Sequence, residues 1–285
     1  MNSMPPPPPT QTKKRDELKE DLRGHLDDNI LERMKPNGIF KFADKEQLLD
    51  MVDFYTNVDI LEMSSIIATE LQFLLTESTD IQFTSLDNQP ARNFFLSAWP
   101  IADWDTSDVT DMSNLFQDLT NFNEYIGKWN VSNVTDMSYM FYDATNFNQP
   151  IGNWNVSKVT NMTNMFSDAI NFNQPIGDWN VSNVTDMSYM FYNATNFNQP
   201  IGDWSVSKVT DMSCMFQEAK TFNCDLGNWE KKGHTETIST LANVKSMYEM
   251  FANANAFEGK NLTHWSVNNV NDFMSMFIYT NLSTE

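Results

Sequence analysis

Four aspartates, Asp111, Asp136, Asp186 and Asp211, occupy one position of a recurring pattern, and together they are the most tempting chemical signal in this chain. A ladder of carboxylates offers hard oxygen ligands to a divalent cation. Calcium, however, takes roughly six to eight converging oxygens at about 2.4 Å, commonly with a glycine at the turn. The sequence spells no such cluster, and the third copy of the pattern replaces the carboxylate with neutral Asn161. Each of these side chains also follows a threonine at the start of a helical stripe. There Thr160 and its equivalents read as N-caps, and a first-turn acid complements the helix dipole. The expectation is capping, with no metal site.

Other reactive residue types fare no better. Met137 and Met140, Met187 and Met190, and Met212 and Met215 could bind a soft metal or line a pliable groove. At helical spacing beside phenylalanine they read as core filling. His25, His234 and His264 are the only histidines, and none sits in a motif with a nucleophile. Cys214 and Cys224 lack the spacing of a redox pair, and no glycine-rich phosphate loop is present. The sequence therefore predicts no catalytic residues, no cofactor and no enzyme activity. Two cysteines cannot make a disulfide framework, and two free thiols are expected.

What positions these residues is a repeat. Trp104, Trp129, Trp154, Trp179, Trp204 and Trp229 follow one another at intervals of 25 residues. A fixed period of roughly 20 to 50 residues marks a stacked array in which each unit buries its apolar side against its neighbours. Later units begin at Tyr125, Pro150, Pro175, Pro200 and Asp225, and a degenerate seventh contains Leu262, Trp265, Val267, Met276 and Phe277. Between Trp229 and Met247 about ten extra residues intrude and must loop out of the stack. Units 125–149 and 175–199 differ only at positions 125/175, 128/178 and 143/193, and Lys158 and Lys208 recur two units apart. This suggests duplication of a two-unit block.

Within the unit 150–174, Trp154 and Val156 alternate as on a short strand, pointing inward, with Asn155 and Ser157 outward. Met162, Met165, Phe166 and Ala169 then stand at i, i+3, i+4 and i+7, one face of a two-turn helix. Glycine in Pro175-Ile176-Gly177 is expected to supply an unusual backbone angle at the return turn. The fold class predicted is an α/β solenoid of about seven strand–helix coils, its strands forming a parallel sheet about 30 Å long at about 4.8 Å per coil.

The N-terminal part differs. Residues 1–12 hold Pro5 to Pro9 and read as an extended tail without a core. Residues 13–88 read as helical: Leu18, Leu22, Leu26, Ile30 and Met34 form one amphipathic stripe, a second helix starts near Asp44, and a third spans about 59–77. Because a solenoid has an open first coil, this region is expected to cap it. The repeat domain is assigned to 89–285.

The net charge is −20, with the excess of acids in both parts of the chain. Such a surface repels phosphate, which argues against nucleic acid and anionic lipid as partners. No run approaches 18 apolar residues, so no membrane span is expected.

The unit Trp-Asn-Val-Ser-x-Val-Thr-Asp-Met-Ser-x-Met-Phe, closing in Phe-Asn-Gln-Pro-Ile-Gly, resembles the BspA-like leucine-rich repeat class, in the variant abundant in mycoplasma lipoproteins. The resemblance covers about residues 100–285. It implies a leucine-rich-repeat-like solenoid with non-catalytic roles in adhesion and protein recognition. The surface members of that class carry an export signal or lipidated cysteine that this sequence does not show, so an intracellular or virion-associated protein is expected. Its partner is expected to be a protein, bound by an outward polar row formed by Asp105, Asn130, Asn155, Asn180 and Ser205 beside Ser132, Ser157, Ser182 and Ser207. The alternative is a structural spacer or assembly subunit whose contacts are made by the N-terminal helices.

Overall fold

The computed structural model describes residues 41–57, 100–232, 237–239 and 241–282. The proline-rich tail, the stripe at 13–35 and the apolar run at 59–77 lie outside the described residues.

Successive units are joined through their backbones. One position in each unit forms a parallel bridge to the next, running from Asp111 through Asp136, Asn161, Asp186, Asp211 and Ser246 to Asp272. Beyond each bridge, alternate N–H groups point along the stack. Met162, Asn164, Phe166 and Asp168 donate to the carbonyls of Asp186, Ser188, Met190 and Tyr192 at 3.1, 3.0, 2.9 and 2.8 Å. The N–H groups between them close tight turns inside the unit: Met165 to Met162, Ser167 to Asn164 and Ala169 to Phe166.

This corrects the strand–helix unit. Residues 162–169 form no α-helix, because every second donor is spent on the next unit rather than on the residue four positions back. The backbone also turns left-handed at two places in each unit, at Asn164 (φ 56) and Asp168 (φ 59) in the third. Equivalent pairs recur at Asn114 and Asp118, Tyr139 and Asp143, and Tyr189 and Asn193. Asparagine and aspartate tolerate that conformation better than other side chains, which accounts for their frequency at these places. Spacing at i, i+3, i+4 and i+7 is therefore met by consecutive turns.

The expected sheet is likewise reduced to bridges. Trp154 and Val156 are buried and Asn155 is exposed, so the inward–outward alternation holds. The backbone nevertheless curls. Trp154 N–H donates to Ile151 and Val159 N–H to Val156, while Asn155 Oδ1 takes the N–H of Ser157 at 3.2 Å. The glycines have a reason other than backbone angle. A Cβ on Gly127, Gly152, Gly177 or Gly202 would lie 2.2 to 2.4 Å from a carbonyl oxygen of the following unit, so glycine permits close approach there.

Side chains continue the stacking inside. Rings at the position of Phe116, Phe141, Phe166, Phe191, Phe216, Phe251 and Phe277 follow one another at 5.4 to 5.7 Å. A second file from Phe122 to Phe257 has spacings of 5.9 to 6.1 Å. The two files meet at 3.9 to 4.1 Å within each unit. Each buried tryptophan from Trp129 to Trp229 donates its indole N–H to an isoleucine carbonyl of the preceding unit, for example Trp179 to Ile151 at 3.2 Å. The burial of an amphipathic ring thus costs no unpaired donor.

The intruding residues do not interrupt these files. Their flanks pair as an antiparallel hairpin, β1 (Glu230–Lys232) against β2 (Thr237–Ser239), with Lys231 opposite Ile238. Trp229 still stacks on Trp265 at 6.0 Å.

At the other end, α1 (Lys45–Asn57) lies on the first unit. Its start is fixed by Asp44, whose Oδ1 accepts the N–H of Gln47, while Gln47 Oε1 accepts the N–H of Ala43. Leu48, Met51 and Val52 are buried in the same core as the repeats. Phe42 packs on Trp104 with centroids 5.3 Å apart, and Lys45 reaches Ser113 Oγ. The helix expected near Asp44 is present.

Candidate functional site

The aspartate ladder is a set of backbone turns. Asp111, Asp136, Asp186 and Asp211 each accept, through Oδ1, the N–H two residues on, at 2.8 to 2.9 Å. Asn161 does the same for Thr163 at 3.0 Å, and its Nδ2 donates to Asp136 Oδ2. These are Asx turns rather than helix caps, which explains why an amide can replace the acid. Among the described residues no group of three or more His, Cys, Asp or Glu side chains is placed to hold a metal ion.

The thiols are free, and both are held as thiols. Burial pushes Cys214 up, although a hydrogen bond with Tyr189 works the other way. That same bond is the main reason the Tyr189 phenol is pushed up to about 12. Burial also raises Cys224, whose Sγ accepts the N–H of Ile201. Neither cysteine has the depressed pKa of a nucleophile.

The residues of the expected polar row stand at equivalent places in successive units. Asn130, Asn155 and Asn180 are exposed; Asp105, Ser205, Ser132, Ser157, Ser182 and Ser207 are half-buried. Local turns engage Asp105, Asn130, Asn155 and Asn180: their Oδ1 atoms accept the N–H groups of Ser107, Ser132, Ser157 and Ser182 at 3.1 to 3.2 Å. Nearby, Lys158 and Lys208 donate to the Oδ1 atoms of Asn133 and Asn183 at 2.7 and 2.6 Å. Asn183 in turn donates to the Ser157 carbonyl at 2.7 Å.

A different surface carries the more developed site. Two rows of asparagine, from the Asn-Phe-Asn segment of each unit, line a shallow groove of about 920 Å³ ending at Thr221. The phenylalanine between them belongs to the core, and this anchors both neighbours. In the outer row, Asn146 Nδ2 donates to Asn121 Oδ1, Asn171 to Asn146 and Asn196 to Asn171, at 3.4, 3.1 and 3.2 Å.

The inner row is tied to the backbone. Asn123, Asn148 and Asn173 accept the N–H of the asparagine one unit on at 2.9 to 3.0 Å, together with a glutamine Nε2 at 2.9 to 3.1 Å. Sequence reasoning missed this groove. Its signal is the repetition of Asn-Phe-Asn, which the proline and glycine that follow mark as a return turn. None of the lining side chains is charged, in a chain of net charge −20.

Stacked near-copies joined by side-chain and backbone ladders define the molecule as a tandem-repeat protein. It belongs to the family described as "Mycoplasma protein of unknown function, DUF285", whose model matches residues 89–179, 151–243 and 236–283. Neither a curated protein nor a solved structure matches the chain. No helix among the described residues is long and apolar enough to cross a membrane.

Proposed function

We propose that the chain is a non-catalytic solenoid of the BspA-like leucine-rich-repeat kind that recognises a partner through its repeated asparagine surface. The supporting observation is the groove: two rows of amides, open to solvent and presented at the same height on consecutive units. Equal spacing lets a periodic partner make the same contact several times, so weak contacts add through effective concentration. The alternative, a spacer whose N-terminal helices make the contacts, is opposed for α1. Leu48, Met51 and Val52 are already buried against the repeats and are not free to dock elsewhere.

Crosslinking mass spectrometry of the full chain in its native source tests this reading. Lys220, exposed and adjacent to Thr221, reports on the groove; Lys128, Lys158 and Lys208, also exposed, report on the row of Asn130, Asn155 and Asn180. The expected result is partner crosslinks at Lys220 that vanish in Asn171→Arg while the protein stays folded. Crosslinks confined to Lys41 and Lys45, unchanged by that substitution, would make the repeats a spacer.

A further inference from the structure

Tyr139 and Tyr142 in the second unit, and Tyr189 and Tyr192 in the fourth, form two ring pairs with centroids 5.7 and 6.0 Å apart. Tyr139 and Tyr189 are exposed, and the other two are half-buried. The turn does not select tyrosine here. Tyr139 and Tyr189 have φ of 57 and 56 where the first and third units place Asn114 and Asn164, and asparagine tolerates a left-handed backbone better.

Between the pairs lies the third unit, with the smaller Asn164 and Ser167 at the equivalent places. Phe141, Phe166 and Phe191, each one residue before Tyr142, Ser167 and Tyr192, step by 5.4 and 5.6 Å. A group held over the third unit is therefore about 5.5 Å along the stack from either tyrosine pair. Asn164 is only 9% exposed, yet its side-chain amide has no hydrogen-bond partner among the described residues. In the same unit, Asp168 Oδ1 accepts Asn193 Nδ2 at 2.8 Å and Oδ2 accepts Ser167 Oγ at 3.2 Å. Each carboxylate oxygen has two acceptor positions, so each keeps one for a further donor.

The charge around these rings is negative. Burial raises the Tyr142 and Tyr192 phenols first, and Asp168 is the foremost charge acting on both, joined by Asp118 and Asp143 at Tyr142 and by Glu218 at Tyr192. Glu218 has Lys220 at 3.8 Å, but Asp118, Asp143 and Asp168 make no ion pair among the described residues. The basic side chains of residues 125–199 are Lys128 and Lys158, and these bond Asp103 and Asn133 instead.

Rings on two sides of a carboxylate with one open position on each oxygen are the complement of a guanidinium. That group is planar, stacks on aromatic faces and offers two parallel N–H groups to one carboxylate. Its attraction to a ring extends to about 6 Å from the centroid. A quaternary ammonium has no N–H to give Asp168 or Asn164. A lysine ammonium has donors but no flat face to lay against the rings. A divalent metal needs converging ligands, and no such group occurs among the described residues.

We infer that the recess between the two tyrosine pairs is a receptor for an arginine side chain of a partner protein, with Asp168 accepting one N–H at each oxygen, Asn164 Oδ1 accepting a third, and Tyr142 and Tyr192 flanking the guanidinium. This contact is separate from the asparagine groove, and neither depends on the other.

The test is titration of the isotope-labelled full chain with the blocked peptide acetyl-Gly-Ser-Arg-Ser-Gly-amide, and with counterparts carrying lysine or citrulline in place of arginine. Citrulline keeps the shape of the side chain and removes its charge. Saturable shifts are expected in the ring signals of Tyr142 and Tyr192 and in the Asn164 side-chain amide. Binding should fall at least about threefold with lysine and at least about tenfold with citrulline. Asp168→Asn should weaken the arginine peptide at least about tenfold; Asn193 holds the same place in the fourth unit, so the fold accommodates it. Tyr192→Gln copies Gln217 of the fifth unit, should weaken binding about two- to fivefold, and serves as the second variant should the first unfold. Asp178→Asn, exposed and outside the recess, should bind normally. Absence of saturable shifts at millimolar arginine peptide overturns the inference, as does undiminished binding by either Asp168→Asn or Tyr192→Gln. Equal binding of the citrulline peptide, or tighter binding of the lysine peptide, overturns it as well.

Discussion

At the scale of single residues, much of the repeat's recurring polarity is spent on backbone groups, within the unit or in the one before. Serine and threonine N–H groups are taken by the Asx side chain two residues earlier. Threonine hydroxyls such as Thr160 donate to the threonine carbonyl of the preceding unit, at 3.1 Å. Glycine shows the tightest constraint. A Cβ at Gly177 would lie 2.3 Å from the Pro200 carbonyl oxygen, and backbone cannot swing aside as a side chain can. Gly177→Ala should therefore push two units apart and cost about 1–3 kcal/mol, the range seen for overpacking. Urea unfolding of the variant measures this directly. An unchanged midpoint would mean that the units slide freely, against the close approach described.

At the scale of elements, α1 is the piece that differs in kind from the repeats. It places Leu48, Met51 and Val52 on the first unit, and Lys41 forms an ion pair with Asp108 at 2.6 Å. Leu48→Ala should cost about 2–5 kcal/mol, as for other buried leucines. In a quasi-one-dimensional stack the loss should be felt mainly nearby. Hydrogen exchange is expected to accelerate in residues 100–124 and to stay slow in residues 175–199; uniform acceleration would show that α1 secures the whole stack.

The sequence was informative about this element because Asp44, Gln47 and the apolar spacing after them all signal a helix start. It was equally clear on the period, since Trp and Phe recur at fixed distances. It misled on the unit's interior. Apolar spacing reports which side chains face inward, and Met162, Met165, Phe166 and Ala169 do. It does not report whether an N–H bonds within the unit or to the next one. The deciding residues were Asn164 and Asp168, whose left-handed backbone breaks any helix. The groove was hidden for a similar reason: the bonds that hold Asn148 and Asn173 in a row run to the next unit, and apolar spacing says nothing of them.

At the scale of the whole molecule, the files of rings make units nearly interchangeable, but the surface relay has a period of two. Lys158 bonds Asn133 and Lys208 bonds Asn183, whereas units 125–149 and 175–199 have asparagine at that place. Removing residues 150–199 would set Lys208 beside Asn133 and restore each ladder. Removing residues 150–174 alone would set two asparagine-bearing units side by side and lose a relay. The two-unit deletion should therefore fold cooperatively, with a urea m-value reduced roughly in proportion to the surface no longer buried. The one-unit deletion should be less stable than the longer deletion predicts from length alone. Equilibrium unfolding of both, beside the full chain, decides the matter. Stability that simply follows the number of units would show that the alternation is a trace of duplication without energetic weight.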